Sequence, residues 1–166
     1  MRNFVLGVIV TVLVIIVGGW LYASGGFMKI TADESPGQLE RRLASTAVDA
    51  AVERQAPQIT SPIPATDSNL IDGMKLYRSN CAGCHGDMDK KVAEFGRSFY
   101  PATPQLIVRP IHDPEWHIFY VVKHGIRWTG MPAWGKTVKD EDLWKVTMFL
   151  QRVGNLPPAV QQAIPK

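Results

Sequence analysis

The chain has 166 residues, 20% of them charged, and a formal net charge of +3. That length holds one modest domain with accessory segments and not two separate cores. Five Lys/Arg face five Asp/Glu up to Thr66 and thirteen face ten beyond it, a small, unclustered excess that excludes the basic stripe of a nucleic-acid binder.

From Phe4 to Tyr22 nineteen residues carry no charge and are dominated by Val, Ile and Leu. As a helix rising about 1.5 Å per residue they would span roughly 29 Å, close to the hydrocarbon thickness of a bilayer. Trp20 and Tyr22 sit at the far end, where amphipathic rings favour the interface. Arg2 precedes the run and would hold the N-terminus on the cytoplasmic side. The alternative is a cleaved signal peptide with a small-residue site at Ala23-Ser24-Gly25. Either reading places the remainder outside the cytoplasm.

A second helix is predicted with Ser35 as cap and Pro36 in its first turn, carrying Leu39, Leu43, Ala47 and Ala50 or Ala51 at helical spacing. Its apolar stripe is thin, which favours a solvated spacer over a docking surface for a partner subunit. Three prolines between Pro57 and Pro64 end it in a stiff linker. A third helix is expected from Asp67 or Ser68 to Asn80, with Leu70, Ile71, Met74 and Tyr77 on it and Gly73 inside it.

Directly after comes Cys81-Ala82-Gly83-Cys84-His85, which holds both cysteines of the chain. Two cysteines one helical turn apart can each close a thioether onto one vinyl group of a haem, with the following histidine pinned beneath the iron. This spacing is the attachment signature of a c-type haem. A thioredoxin-like pair would want a βαβ neighbourhood and a zinc site a second ligand pair, and neither context is present.

Residues 86–104 read as loop. A helix is then expected from Asp113-Pro114, cap and first position, to Lys123 or His124 before Gly125. Another runs from about Asp140 to Val153, with Leu143, Val146, Thr147 and Leu150 on one face and Thr137 with Asp140 as a weak capping pair. The tail, with Pro157, Pro158 and Pro165, is expected to fray. No strand alternation or internal repeat is visible.

An iron held only by His85 would have an open sixth position. Met131, in Thr129-Gly130-Met131-Pro132-Ala133-Trp134, suits that position: Pro132 stops a helix, Gly130 allows close backbone approach, and thioether with imidazole is a known haem pairing. Met88 is tethered to the His85 side, while Met74 and Met148 occupy helical positions suited to core packing. His112, His117 and His124 remain rivals, and bis-histidine ligation would lower the potential.

These residues together resemble the class I c-type cytochromes in their small, membrane-anchored bacterial form, over roughly residues 67–154. The resemblance rests on Cys81-Ala82-Gly83-Cys84-His85-Gly86, on Gly130-Met131-Pro132-Ala133-Trp134, and on a final helix with Leu143, Phe149 and Leu150. It implies an all-α fold, an N-terminal transmembrane helix followed by a cytochrome c-type haem-binding helical domain. It also implies that the first and last domain helices cross at Gly73, surrounded by Tyr77, Trp144 and Phe149. Pro104 would lend its carbonyl to the ring N–H of His85, with Pro101 the alternative. The long spacer and Lys139, where a serine or threonine cap is usual, depart from the family pattern.

The expected layout is an anchor or signal peptide over 1–29, spacer and linker over 30–66, the haem domain over 67–154 and a tail over 155–166. The expected function is one-electron transfer by a single covalent haem c on the outer face of the cytoplasmic membrane, between respiratory or photosynthetic redox partners. The chain itself would be a single-pass protein with no small-molecule substrate and no nucleic acid. Cys81, Cys84, His85, Met131 and Pro104 would bind the cofactor, His85 and Met131 through the iron. Lys90, Lys91, Lys123, Arg127 and Lys136 are candidates for steering acidic partners. A fixed haem subunit of a larger oxidase, reductase or dehydrogenase is the alternative; a haem gas sensor or peroxidase-like enzyme would need the sixth ligand absent or labile.

Overall fold

The computed structural model describes residues 1–165, which divide into two units, Met1–Thr31 and a second from Ala32 onward. The first unit is helix α1, Arg2–Ser24, which encloses the expected apolar run. Its most apolar window has a mean hydropathy of 2.8 and none of its residues is buried. An all-round apolar surface is what a helix facing lipid presents. The hydroxyls of Thr11 and Ser24 are satisfied within the helix, Thr11 donating to the Gly7 carbonyl at 2.9 Å and Ser24 to that of Trp20 at 2.8 Å, as a medium without water requires.

The second unit starts with α2, Gln38–Gln55, capped by Gly37 without a side-chain bond. It therefore begins two residues later than Ser35 and Pro36 suggest. Leu39 and Leu43 stay exposed, and burial is concentrated at Val52 and Ala56. Tyr120 donates to Gln55 Oε1 at 3.2 Å and Tyr100 to Glu40 Oε2 at 2.7 Å. So α2 lies along the domain and is not a free-standing spacer. The proline segment is likewise docked: Ile63 packs on the core and the Ser61 hydroxyl reaches Met148 Sδ at 3.6 Å.

Helix α3, Asp67–Asn80, is capped by Thr66, whose hydroxyl oxygen accepts from the Asn69 N–H at 3.3 Å, one residue before the caps expected. Leu70, Gly73, Met74 and Tyr77 form its buried face. Two short helices follow, α4 at Ala82–His85 and α5 at Glu94–Arg97, the latter inside the segment expected to be loop. Helix α6, Glu115–His124, takes Pro114 as its cap and not in its first turn, because Pro114 has an extended ψ of 151°. A 3₁₀ turn at Trp134–Lys136 precedes α7, Asp140–Arg152. Thr137 bonds the Trp134 carbonyl at 3.4 Å and leaves Lys139 as an α7 cap without a side-chain bond. Asp140, Glu141 and Asp142 in the first turn complement the helix dipole in its place. The tail is ordered: α8, Pro158–Gln162, buries Val160 completely, and Leu156 just before it is also buried. The fold is all-helical, with no strand among the described residues.

Helices α3 and α7 carry the core. A Cβ on Gly73 would run into the Lys145 carbonyl and crowd Phe149, so glycine is what lets the two backbones touch. Around the crossing Tyr77 and Phe149 meet with ring centroids 5.6 Å apart, and Trp144 stacks on Phe119 of α6 at 4.0 Å. Seven residues of α7 are buried; at about 1.5–3 kcal/mol for each large apolar side chain, this helix dominates the hydrophobic stabilisation.

Candidate haem site

The end of α3 runs straight into the cysteine pair. The Cys81 N–H bonds the Tyr77 carbonyl at 2.7 Å, and the Cys81 carbonyl in turn accepts from Cys84 at 3.1 Å and His85 at 2.9 Å. This single turn is α4. The chain leaves it at Gly86, whose carbonyl accepts from the buried Tyr77 hydroxyl at 2.7 Å. Arg78 grips Asp87 through three contacts of 2.9–3.2 Å, and that ion pair holds the Asp87 carboxyl below its usual range. Gln105, which no motif marked, clamps the other side. Its amide donates to the carbonyls of Cys84 and Thr103, both at 3.0 Å, and accepts from the Ala93 N–H at 2.7 Å.

His85 Nδ1 lies 2.8 Å from the Pro104 carbonyl. A carbonyl only accepts, so the proton sits on Nδ1 and Nε2 keeps its lone pair for a ligand. Burial lowers the His85 pKa, with the Pro104 bond acting in the opposite sense; the neutral form is the one that binds metals. Pro101 lines the cleft but is not the ring's partner. Burial, then the neighbouring Cys84, pushes the Cys81 thiol up to about 12. A redox dithiol or a zinc thiolate wants the opposite shift. Among the described residues no group of three or more His, Cys, Asp and Glu is arranged to hold a metal ion.

Cys81, Cys84 and His85 share a cleft of about 230 Å³ with Pro101–Pro104, Thr129–Pro132 and Trp134. Met131 therefore faces the same space as the box. Its loop is cross-tied: the Met131 N–H donates to the Thr129 hydroxyl at 3.1 Å, that hydroxyl to the Ile126 carbonyl at 2.8 Å, and the Ile126 N–H to the Met131 carbonyl at 3.2 Å. Gly125, at φ 66°, sits beneath, and a Cβ there would strike the Met131 and Pro132 carbonyls. The rivals lie elsewhere. Met74 and Met148 are each 1% exposed in the core, and Met88 is packed against it. His112 and His124 are exposed, His124 beside the Tyr120 ring; His117 lies edge-on to Trp116 in a separate concavity with Asp49 and Glu53. Of the basic candidates, Lys123 pairs with Asp140 at 2.7 Å and Lys91 with Asp89 at 3.5 Å, while Lys90, Arg127 and Lys136 are exposed.

Two cysteines, an imidazole with a bare Nε2 and a thioether, in a cleft walled by Pro101, Ala102, Pro104, Pro132 and Trp134, fit a covalent haem in donor set and in polarity. A helical domain organised around such a cleft belongs to the class of c-type cytochromes. Residues 68–150, half of the chain, match the family described as cytochrome C oxidase, cbb3-type, subunit III, and the chain belongs to that family. Membership brings haem as the cofactor and electron transport as the class of work. A search of curated proteins and a search of solved structures each found no match.

Proposed function

We propose that the chain is a one-electron carrier for a single haem c, which Cys81 and Cys84 would attach and His85 and Met131 would hold through its iron. It would be anchored by α1 with the domain on the outer face of the cytoplasmic membrane, exchanging electrons with membrane redox proteins. Bound haem supplies a one-electron couple at its iron. The protein's part is to hold that iron unchanged between oxidation states. The Pro104 carbonyl fixes the His85 ring and makes Nε2 a better donor. The tied Ile126–Met131 loop fixes the thioether, and the apolar wall excludes water, which with a Met/His pair raises the potential. The observation that carries the reading is the convergence of Cys81, Cys84, His85 and Met131 on one cleft.

The family match favours a second reading that keeps the same chemistry, in which the chain is a fixed subunit of an oxidase complex. Both require a closed sixth position; a gas sensor or peroxidase-like enzyme requires an open one. Carbon monoxide added to the ferrous full-length holoprotein should leave its spectrum unchanged. Prompt binding would overturn the carrier reading.

A further inference from the structure

We propose that α2 pairs antiparallel with α2 of a second copy of this chain, the Leu39 and Leu43 end of each helix seating against the acid-lined concavity between α2 and α6 of the other. The proposal is independent of the haem reading.

Residues 38–47, the N-terminal half of α2, are all exposed, Leu39 at 71% and Leu43 at 63%. Burial along the helix falls on Val48, Ala51 and Val52, which turn toward the domain. Leu39, Leu43, Thr46 and Ala50, spaced four, three and four apart, line up on the other side of a helix with about 3.6 residues per turn, and all four are exposed. Thr46 and Ala50 are small, so a second helix can approach closely there. A pair of exposed leucines does not by itself identify what covers it. The other end of the same helix does.

Ala50 lines a concavity of about 430 Å³ together with Asp49, Glu53, Asp113, Pro114 and Trp116. Among the described residues no ion pair engages these three carboxylates or Arg42. Arg42, Asp49 and Glu53, spaced seven and four apart, share one flank of the leucine seam. Two copies of a helix related by a two-fold axis perpendicular to them run antiparallel, each flank faces itself reversed, and a contact of residue i with j is matched by j with i. With the axis beside Thr46 and Ala47, Leu43 of one copy comes opposite Ala50 of the other, and Arg42 falls between Asp49 and Glu53. Each helix thus brings apolar side chains and a cation to the end where the other offers a hollow and carboxylates. A parallel pairing would set Leu43 against Leu43 and leave both concavities uncovered.

A contact along one helix of 18 residues is smaller than the roughly 1,200 Å² typical of a stable soluble dimer. Two copies held by α1 in one membrane would meet at a raised effective concentration, so the test uses the full-length chain in the membranes of the cell that makes it, with wild type setting the background of Cys81 and Cys84. Ala47→Cys, beside the axis, should give a disulfide-linked dimer when copper phenanthroline is added as oxidant. Leu43→Cys and Ala50→Cys should cross-link to each other when co-expressed and not when either is present alone. In the Ala47→Cys chain, Arg42→Glu should lower the dimer yield about fivefold or more, and adding Asp49→Arg with Glu53→Arg should restore it. None of these positions lines the haem cleft, so the haem content of every variant should match wild type.

No dimer from Ala47→Cys above the wild-type background would overturn the pairing and leave the carrier reading intact. A dimer from Leu43→Cys alone would mean parallel helices, and a yield indifferent to Arg42→Glu would remove the charge match; either result overturns the proposal. Cross-linking of Ala47→Cys to a chain of another mass would assign the face to a different subunit. Quenching of a fluorescent label on Leu43→Cys by brominated lipid would assign it to the bilayer, and each of these would equally overturn self-pairing.

Discussion

A single hydroxyl ties α3 to the turn that follows the cysteine pair: that of Tyr77, fully buried and donating to the Gly86 carbonyl. Tyr77→Phe leaves that carbonyl unpaired, with an expected loss of about 1–3 kcal/mol in denaturant unfolding of the holoprotein at neutral pH. Burial raises the phenol's pKa far above its usual value of 10.0. The folded state therefore keeps a proton that the unfolded state releases. This contribution is complete below about pH 10 and is lost as pH climbs beyond it; unfolding of wild type should show that alkaline loss and Tyr77→Phe should lack it. At this scale the sequence points to Cys81, Cys84, His85 and Met131 because chemistry demands a residue type at a spacing, and the fold brings the four to one cleft. Pro104 and, as the alternative, Pro101 each offer an acceptor carbonyl in the sequence, and the path of the loop brings that of Pro104 to the His85 ring. Gln105 carries no motif, since it acts through tertiary neighbours.

Among the elements, the α3–α7 crossing is the joint at the centre of the core. Gly73→Ala puts a methyl group into the Lys145 backbone carbonyl, which cannot move without shifting α7. A loss of about 1–3 kcal/mol or more is expected, measured as a lowered denaturation midpoint; unaltered stability would show that the helices separate freely. Helix α8 is the smaller joint. Val160 is fully buried, so Val160→Ala should cost on the order of 2 kcal/mol, whereas a frayed tail would show no change. Periodicity exposed α3 and α7 because each keeps large apolar residues at helical spacing for three turns. The starts of α3 and α6 shift by a residue or so because caps depend on local backbone: Thr66 and not Asp67 accepts the Asn69 N–H, and Pro114 is extended and not helical. The five residues of α8 are too few to display a period, and their prolines read as breakers although Pro158 stands at the start of a helix. In α2 the leucines drew attention, but the contact is made by Val52 and Ala56.

For the whole molecule, the proposed arrangement is an apolar helix in lipid and a haem domain outside. Mass measurement of the native protein should find residues 1–24 retained, and protease added from outside should reach the domain; a mature chain starting near Gly26 would make α1 a signal peptide instead. Nothing in a single sequence names the redox partners, because their identity lies in surfaces that complement this one. The pair proposed to close the iron site is His85 and Met131, and the claim that the chain carries electrons without making or breaking bonds depends on that pair. The ferric absorption spectrum of the full-length holoprotein tests it most directly. Wild type should show the weak long-wavelength band of sulfur-to-iron charge transfer, and Met131→Ala, with its haem still attached through Cys81 and Cys84, should lose it. A band that survives in Met131→Ala, or is missing from wild type, would contradict the assignment of Met131 and the closed-site electron carrier built on it.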